Sequence, residues 1–418
     1  MNNILIIAHD YYPYHPDTGS YMRVLTLANY LVEKGYKVFI LSGKGTKFKN
    51  KPLDQNINIK NIYIINPVLF LYHFLKYKLK LFNYKSKDPN DRKIYNFQKI
   101  DISLFWLPFL IIRLISLIKK LDINTLIFSG PPFGTFLLVP RTKIMFPKLK
   151  VIVEYRDGWN TSGMFAKHML FPNKMVMYEK EALYYADNVV CVTESIKNNL
   201  INKYSFLKKE KIYLIRNGFG GDEKLFCKIR NIDIREGKKF VIGYFGTISD
   251  NKKSYRSPIN FFKAILDLPD KYKNMIEIRF YGNCEIKNRY NLNIKIFPPL
   301  PYKEALIEMR KCHILLVLHS MKDGAEEVIP GKIYDYIFAG RPIFCVGPNA
   351  LKEAFKIVEE TNCGKIARIE NISEIKNVLL EFIKGKRSNN MNNFSSKYEV
   401  IIKYSRYEQY KKYLEVLK

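Results

Sequence analysis

Short runs of consecutive apolar residues alternate along this chain with stretches in which apolar positions recur every three to four residues. The runs are ILIIA at 4–8, VFILSG at 38–43, TLIFSG at 125–130, VIVEY at 151–155, NVVCVT at 188–193 and KIYLI at 211–215. After a gap come FVIGYFG at 240–246, IEIRFYG at 276–282, IKIFPPL at 294–300, ILLVLH at 314–319 and PIFCVG at 342–347. Such runs suit strands buried on both faces of a parallel sheet. Between the first two, Val24, Leu27, Ala28 and Leu31 share one face of a helix that Gly35 is placed to end, which predicts a right-handed βαβ unit. Thr193 is placed to N-cap the helix ESIKNNLINKY, and the glycine-rich, charged stretch 216–239 reads as a linker. The alternation therefore predicts an α/β chain of two doubly wound, Rossmann-like domains, 1–216 and 217–398, with 399–418 a helix that returns to the first.

At 418 residues, 47% of them hydrophobic, the chain can bury two cores. Its six cysteines form no CxxC pair and several fall in the apolar runs, which reads as buried thiols in a reducing compartment. The six histidines show no HExxH or Cys/His ligand spacing, so no protein-built metal site is expected. MNNILIIAHDYYP has no charged n-region or cleavage site and reads as a strand, not a signal peptide. The apolar stretch 102–118 carries Pro108 and Arg113, which count against a spanning helix. The expectation is a cytoplasmic protein, soluble or peripheral on the inner face of the membrane. Lys and Arg number 69 against 39 Asp and Glu, a net charge of +30 that suits polyanions or an anionic membrane face. A coding bias that enriches Lys, Asn and Ile does not account for so few acids.

In a doubly wound sheet the ligand crevice lies beyond the carboxyl ends of the strands, so the post-strand loops hold the candidate chemistry. After the first strand, HDYYPYHPDTGSYMR brings Gly19 and Ser20 to a helix start, where N–H groups can face a phosphate or hydroxyl; the plainer role for Ser20 is the N-cap. After VIVEY, Arg156 and Asp157 stand ahead of Trp159: a carboxylate offered to substrate with Arg156 holding it ionised, or a structural ion pair. FVIGYFG leads into Gly246 and Thr247 and then Lys252, Lys253 and Arg256, cations that suit a diphosphate or a solvated loop. No GxGxxG follows a strand, against a dinucleotide oxidoreductase. In EEVIPGKIYDYIFAGRP, residues 326–342, Pro330, Gly331 and Lys332 open a helix whose N-terminal dipole suits phosphate, and Gly340 ends it. Glu327 precedes it and Asp335 lies in its first turns, both able to accept paired hydroxyls; alone, Asp335 would merely complement the dipole.

Taken together these motifs resemble retaining glycosyltransferases with the GT-B fold, glycosyltransferase family 4. The resemblance rests on Glu327 and Asp335 separated by seven residues ahead of AGRP, with Asp where the family has a second Glu, and on HPDTGSYMRVLTLANYLVEKGYKV, with Ser20 for a second glycine. SGPPFGT followed by VEYRDGWN is similar to a bacterial surface-polysaccharide branch with an RDxW motif, and ADNVVCVTESIKNNL and IRNGFGGDEKLF resemble the segments entering the interdomain linker. The resemblance implies two facing domains. The second would hold a nucleotide-diphosphate sugar: diphosphate at Gly331, Lys332, Lys253 and Arg256 beside Gly246 and Thr247, sugar hydroxyls at a catalytic Glu327, ribose at Asp335. The first would hold a saccharide acceptor, a polyprenyl-diphosphate-linked one included, near Gly19, Ser20, Arg156 and a catalytic Asp157. It implies no metal or other cofactor, no nucleic-acid partner, and transfer with retention in polysaccharide, lipopolysaccharide or capsule synthesis. The basic segment 73–87 and the helix 102–118 would dock on an anionic membrane, or form a solvated loop and an ordinary core-facing helix.

Two other readings compete. A nucleotide-sugar epimerase or hydrolase on the same fold would need no lipid acceptor. A non-catalytic polyanion-binding protein would account for the charge but not for the two acids, and would bind normally after Glu327→Ala.

Overall fold

The computed structural model describes residues 2–14, 18–45, 56, 58–68, 71, 101–161, 172–232, 237, 239–251, 254–287, 290–320, 323–387, 394 and 397–418. The basic segment 73–87, Lys252 and Lys253 lie outside them. The chain divides into two compact units, Met1–Ile215 with Tyr410–Lys418, and Arg216–Gln409.

Among the described residues the first unit is built on seven strands: β1 Asn3–Ile7, β2 Lys37–Lys44, β3 Lys60–Ile65, β4 Ile123–Gly130, β5 Lys150–Tyr155, β6 Asn188–Cys191 and β7 Ile212–Leu214. All pair in parallel, in the order β3-β2-β1-β4-β5-β6-β7. Successive β1 side chains enter opposite cores. Leu5 and Ile7 meet the helices Leu107–Lys120 and Leu138–Met145, while Ile4 and Ile6 pack with Val24, Leu27 and Leu31 of helix Thr18–Glu33. Each such side chain, fully buried, contributes about 1.5–3 kcal/mol. Gly35, at φ +87°, follows the first helix, and the Thr193 side chain accepts from the Ile196 N–H at 3.2 Å, the cap expected of it. Thr18 begins the first helix, so Ser20 lies inside its first turn and is not its N-cap.

The apolar stretch 102–118 forms a 3-10 turn, Ile102–Trp106, and then helix Leu107–Lys120, with Pro108 in the first turn, where its missing N–H leaves no helical bond unmade. Leu110, Leu114, Leu117 and Ile118 face the core; Phe109, Ile112 and Arg113 are exposed. Among the described residues no helix is long and apolar enough to cross a membrane.

The C-terminal segment enters this unit at Tyr410, where 399 was expected. The helical run is interrupted at extended Ser405, and strand-like bonds from Phe219 N–H to Tyr404 O (3.1 Å) and from Arg406 N–H to Phe219 O (3.0 Å) keep the preceding residues with the second unit. Beyond it, Tyr413 is fully buried against Glu154 of β5 and hydrogen-bonded to it. Arg23 pairs with the same carboxylate at 2.9 Å and Ser129 donates to it at 2.7 Å. Burial would raise the Glu154 carboxyl, but Arg23 and the hydroxyls of Tyr413 and Ser129 more than offset this and hold it below the usual range.

The second unit repeats the plan. Its strands are β8 Phe240–Phe245, β9 Ile248–Ser249, β10 Ile276–Tyr281, β11 Cys284–Glu285, β12 Ile294–Phe297, β13 Ile314–Leu318, β14 Ile343–Gly347 and β15 Gly364–Arg368. Six of them form a parallel sheet in the order β12-β10-β8-β13-β14-β15, and β9 pairs with β11. The expected linker 216–239 contains helix Glu223–Arg230, capped by the Asp222 side chain on Leu225 N–H at 2.8 Å. Its Phe226 and Ile229, a turn apart, are buried in the same core as Phe338, which makes the segment part of the domain and not a connector.

Candidate active site

In the second unit β8 and β13 lie side by side where the strand order reverses, the place at which this architecture opens a crevice. β8 leads into Gly246 at φ +123°, a conformation that L side chains rarely adopt, and a Cβ there would lie 3.3 Å from Lys332 Nζ. Lys332 is the first residue of helix Lys332–Ala339, which Gly340 ends at φ +69°. The helix is tied to β8 by the Phe245 N–H, which donates to the Tyr336 hydroxyl at 3.0 Å. Lys332 Nζ stands 3.6 Å from the centre of the Tyr244 ring, whose hydroxyl donates to Thr247 O at 2.7 Å. The ammonium is buried and has no hydrogen-bond partner among the described residues. Burial first, and then the charge of Arg256, push its pKa well below the usual lysine value. An anion in this place would supply both the missing partner and the missing countercharge.

The structure thus gathers Gly246, Thr247, Arg256 and Lys332, with Arg256 lying 4.9 Å over the ring of Tyr255. Gly331 precedes the helix, exposed, with open space where a Cβ would be. Glu327 closes the 3-10 turn Ala325–Glu327 between β13 and the helix and is 3% exposed. Asp335, one turn beyond Lys332, accepts from the Tyr302 hydroxyl at 3.0 Å, and that hydroxyl also bonds Gly220 O at 2.7 Å. Burial raises the Asp335 carboxyl, with Arg406 and Tyr302 partly countering it. Tyr302 and Arg406 were not legible as site residues, because their approach to Asp335 is a matter of tertiary packing.

In the first unit the order reverses between β1 and β4. Arg156 and Asp157 follow β5 immediately, and helix Thr18–Glu33, with Gly19 and Ser20 in its first turn, follows the β1 loop. The guanidinium of Arg156 donates to Gly130 O at 3.3 Å and to Pro131 O, at the end of β4. Its charge favours the ionised form of Asp157, but burial outweighs it and raises the carboxyl to about 6. Trp159, 1% exposed, stacks on Phe133 at 5.3 Å and backs the loop. His9 and Asp10, at the end of β1, were passed over in the sequence, although they follow an apolar run directly.

A carboxyl raised above its unfolded value binds its proton more tightly in the folded state, so its contribution to stability falls as pH climbs from about 4 to about 6. Asp157→Asn should therefore stabilise the protein by about 1–2 kcal/mol above pH 6, allowing for partial solvation, and by little at pH 4. Melting temperatures of both proteins across that range check this; a pH-independent difference would contradict it. Among the described residues no cluster of three His, Cys, Asp or Glu could hold a metal ion.

The fold is that of the GT-B glycosyltransferases: two Rossmann-like α/β domains, each on a parallel sheet. Residues 18–220 match the model of Glycosyltransferase Family 4. Among solved structures, sucrose-phosphate synthase from Thermosynechococcus elongatus is similar at a TM-score of 0.67 and 12% identity, over 100% of this chain and 98% of that one. Anabaena HepE in complex with UDP-glucose is similar at 0.60 and 11%, over 100% and 99%. WaaG, a glycosyltransferase involved in lipopolysaccharide biosynthesis, is similar at 0.60 and 12%, over 99% of each chain. No curated protein sequence matches the chain.

Proposed function

We propose that this protein is a glycosyltransferase that moves a sugar from a nucleotide-diphosphate sugar to a saccharide acceptor with retention of anomeric configuration. The observation that carries the reading is the buried ammonium of Lys332, without a hydrogen-bond partner among the described residues, beside Gly246 at the start of a helix, with Arg256 adding positive charge. Two cations and a helix dipole suit a diphosphate, and HepE, of similar fold, holds UDP-glucose. In the proposed step the bond from the anomeric carbon to the diphosphate oxygen breaks and the acceptor oxygen bonds the same face. The acceptor proton passes to the departing phosphate. Lys332 and Arg256 stabilise the negative charge that develops on the leaving group, a task for which no metal is expected. Glu327 holds the sugar hydroxyls; the first unit, with Asp157, takes the acceptor.

Incubation with a panel of nucleotide-diphosphate sugars and glycoside acceptors should release nucleoside diphosphate and give a product whose anomeric configuration, read by NMR, matches the donor. Inversion would remove the retaining mechanism. Release at an equal rate with and without any acceptor would favour the hydrolase reading.

The acceptor we propose is lipid-linked, in surface-polysaccharide synthesis, met on an anionic membrane. Support comes from helix Leu107–Lys120, which exposes Phe109 (49%) and Ile112 (75%) beside Arg113, Lys119 and Lys120. Phe109→Ser with Ile112→Ser should cut sedimentation with phosphatidylglycerol vesicles several-fold; unchanged sedimentation would rule out this face.

A further inference from the structure

At the β1 end of the first unit's switch point stands a side-chain assembly that neither the motifs nor the proposed reaction uses. His9 is 2% exposed, and its Nδ1 lies 2.6 Å from Asp10 Oδ1. Its Nε2 lies 2.9 Å from Asn66 Nδ2. The Asn66 carbonyl accepts from the Val68 N–H at 3.1 Å, which directs the amide nitrogen to the histidine. Nε2 is then the acceptor and Nδ1 the donor, so a neutral imidazole hands its proton side to Asp10. The Trp106 ring meets the His9 ring edgewise at 5.3 Å, and a Cβ on Gly43 would come within 3.2 Å of it, so both limit its movement. Three buried groups thus fix the direction of one carboxylate that keeps 19% of its surface exposed.

Asp10 is also one of two aspartates whose charge reaches the Arg156 guanidinium, the other being Asp157. The remaining acid near it, Glu154, is taken by Arg23. Arg156 is pinned by the Gly130 and Pro131 carbonyls. Among the described residues, the ends of β1 and β5, which flank β4 in the sheet, therefore bring two carboxylates, Asp10 and Asp157, near one guanidinium. Carboxylates accept hydrogen bonds from sugar hydroxyls and repel a phosphate.

We propose that Asp10, aimed by His9, is an acceptor-binding residue, and that with Asp157 and Arg156 it selects an acceptor whose reacting end is a neutral, hydroxyl-rich sugar and not a sugar phosphate. This rests on the glycosyltransferase reading of the same protein and adds to it the chemistry of the acceptor end. His9 is a positioning residue and acts through Asp10.

The test uses the full chain, the donor that binds it, neutral p-nitrophenyl hexosides and hexose 6-phosphates. Wild type should use at least one neutral hexoside with kcat/KM at least tenfold above any hexose 6-phosphate. Asp10→Asn should raise the KM for that hexoside at least tenfold with a smaller change in kcat, and narrow the gap to the phosphates. Asp10→Glu, which keeps the charge, should recover part of the loss, and His9→Gln should raise KM in the same direction as Asp10→Asn. Donor affinity, read by calorimetry, controls for folding. Preference for a hexose phosphate, transfer to no neutral hexoside, or a wild-type hexoside KM in Asp10→Asn overturns the proposal. If wild type binds no nucleotide sugar, the glycosyltransferase reading falls first; donor binding with an indifferent Asp10 sinks only the inference about the acceptor.

Discussion

Lys332→Met is expected to weaken nucleoside-diphosphate binding about 10- to 100-fold while raising the melting temperature, because the same group serves the ligand and burdens the fold. A charge-assisted hydrogen bond to a phosphate contributes about 1.5–3 kcal/mol, which sets the loss of affinity. Against this, a buried amine without a hydrogen-bond partner costs about 1–3 kcal/mol in the free protein. Methionine matches its length and removes that cost. The pKa of Lys332 is pushed far down by burial and Arg256, so below the unfolded lysine value the folded state binds fewer protons and stability falls as pH drops. The gain from methionine should therefore grow toward acid pH. Calorimetric affinity and thermal melting on one pair of proteins check both signs; lower stability with unchanged affinity would make Lys332 an ordinary packing residue.

Glu327→Gln is the second large effect expected. The side chain is 3% exposed on the connection between β13 and helix Lys332–Ala339, and its proposed partners are the hydroxyls of the transferred sugar. Glutamine keeps the size and one carbonyl oxygen but removes the charge, so transfer should fall at least about 100-fold, the scale of deleting one electrostatic contact to a transition state. Binding of the bare nucleoside diphosphate should stay within about threefold, because the missing contact is to sugar. Steady-state rates and nucleotide titrations separate the two, and transfer near wild type would place the sugar elsewhere.

The central strands could be read because they are apolar on both faces: β8 and β13 fall inside their runs, and β1 and β4 begin one and two residues before theirs. Two of the four edge strands, β3 (KNIYII) and β15 (GKIAR), passed unread: both are largely half-buried, and β15 breaks its apolar positions with Lys365 and Arg368. The other two, β7 and β12, were read because they fall within KIYLI and IKIFPPL, whereas the run IYII of β3 was overlooked. Helix Glu223–Arg230 was masked by the glycines and charges around it, although Asp222 and the spacing of Phe226 and Ile229 were the available signals. At the site, glycines and cations after strands were legible because backbone geometry demands them there. The partners of those groups were not. Asp335 facing Tyr302, 33 residues away in sequence, and Arg156 turning to the β4 carbonyls and not to its neighbour Asp157, follow from packing that no local pattern encodes.

The most direct test of the account is a calorimetric titration of the protein with UDP-, GDP-, ADP- and dTDP-linked sugars. The account predicts binding of at least one donor, weakened about 10- to 100-fold in Lys332→Met. Binding of none of these donors would contradict it.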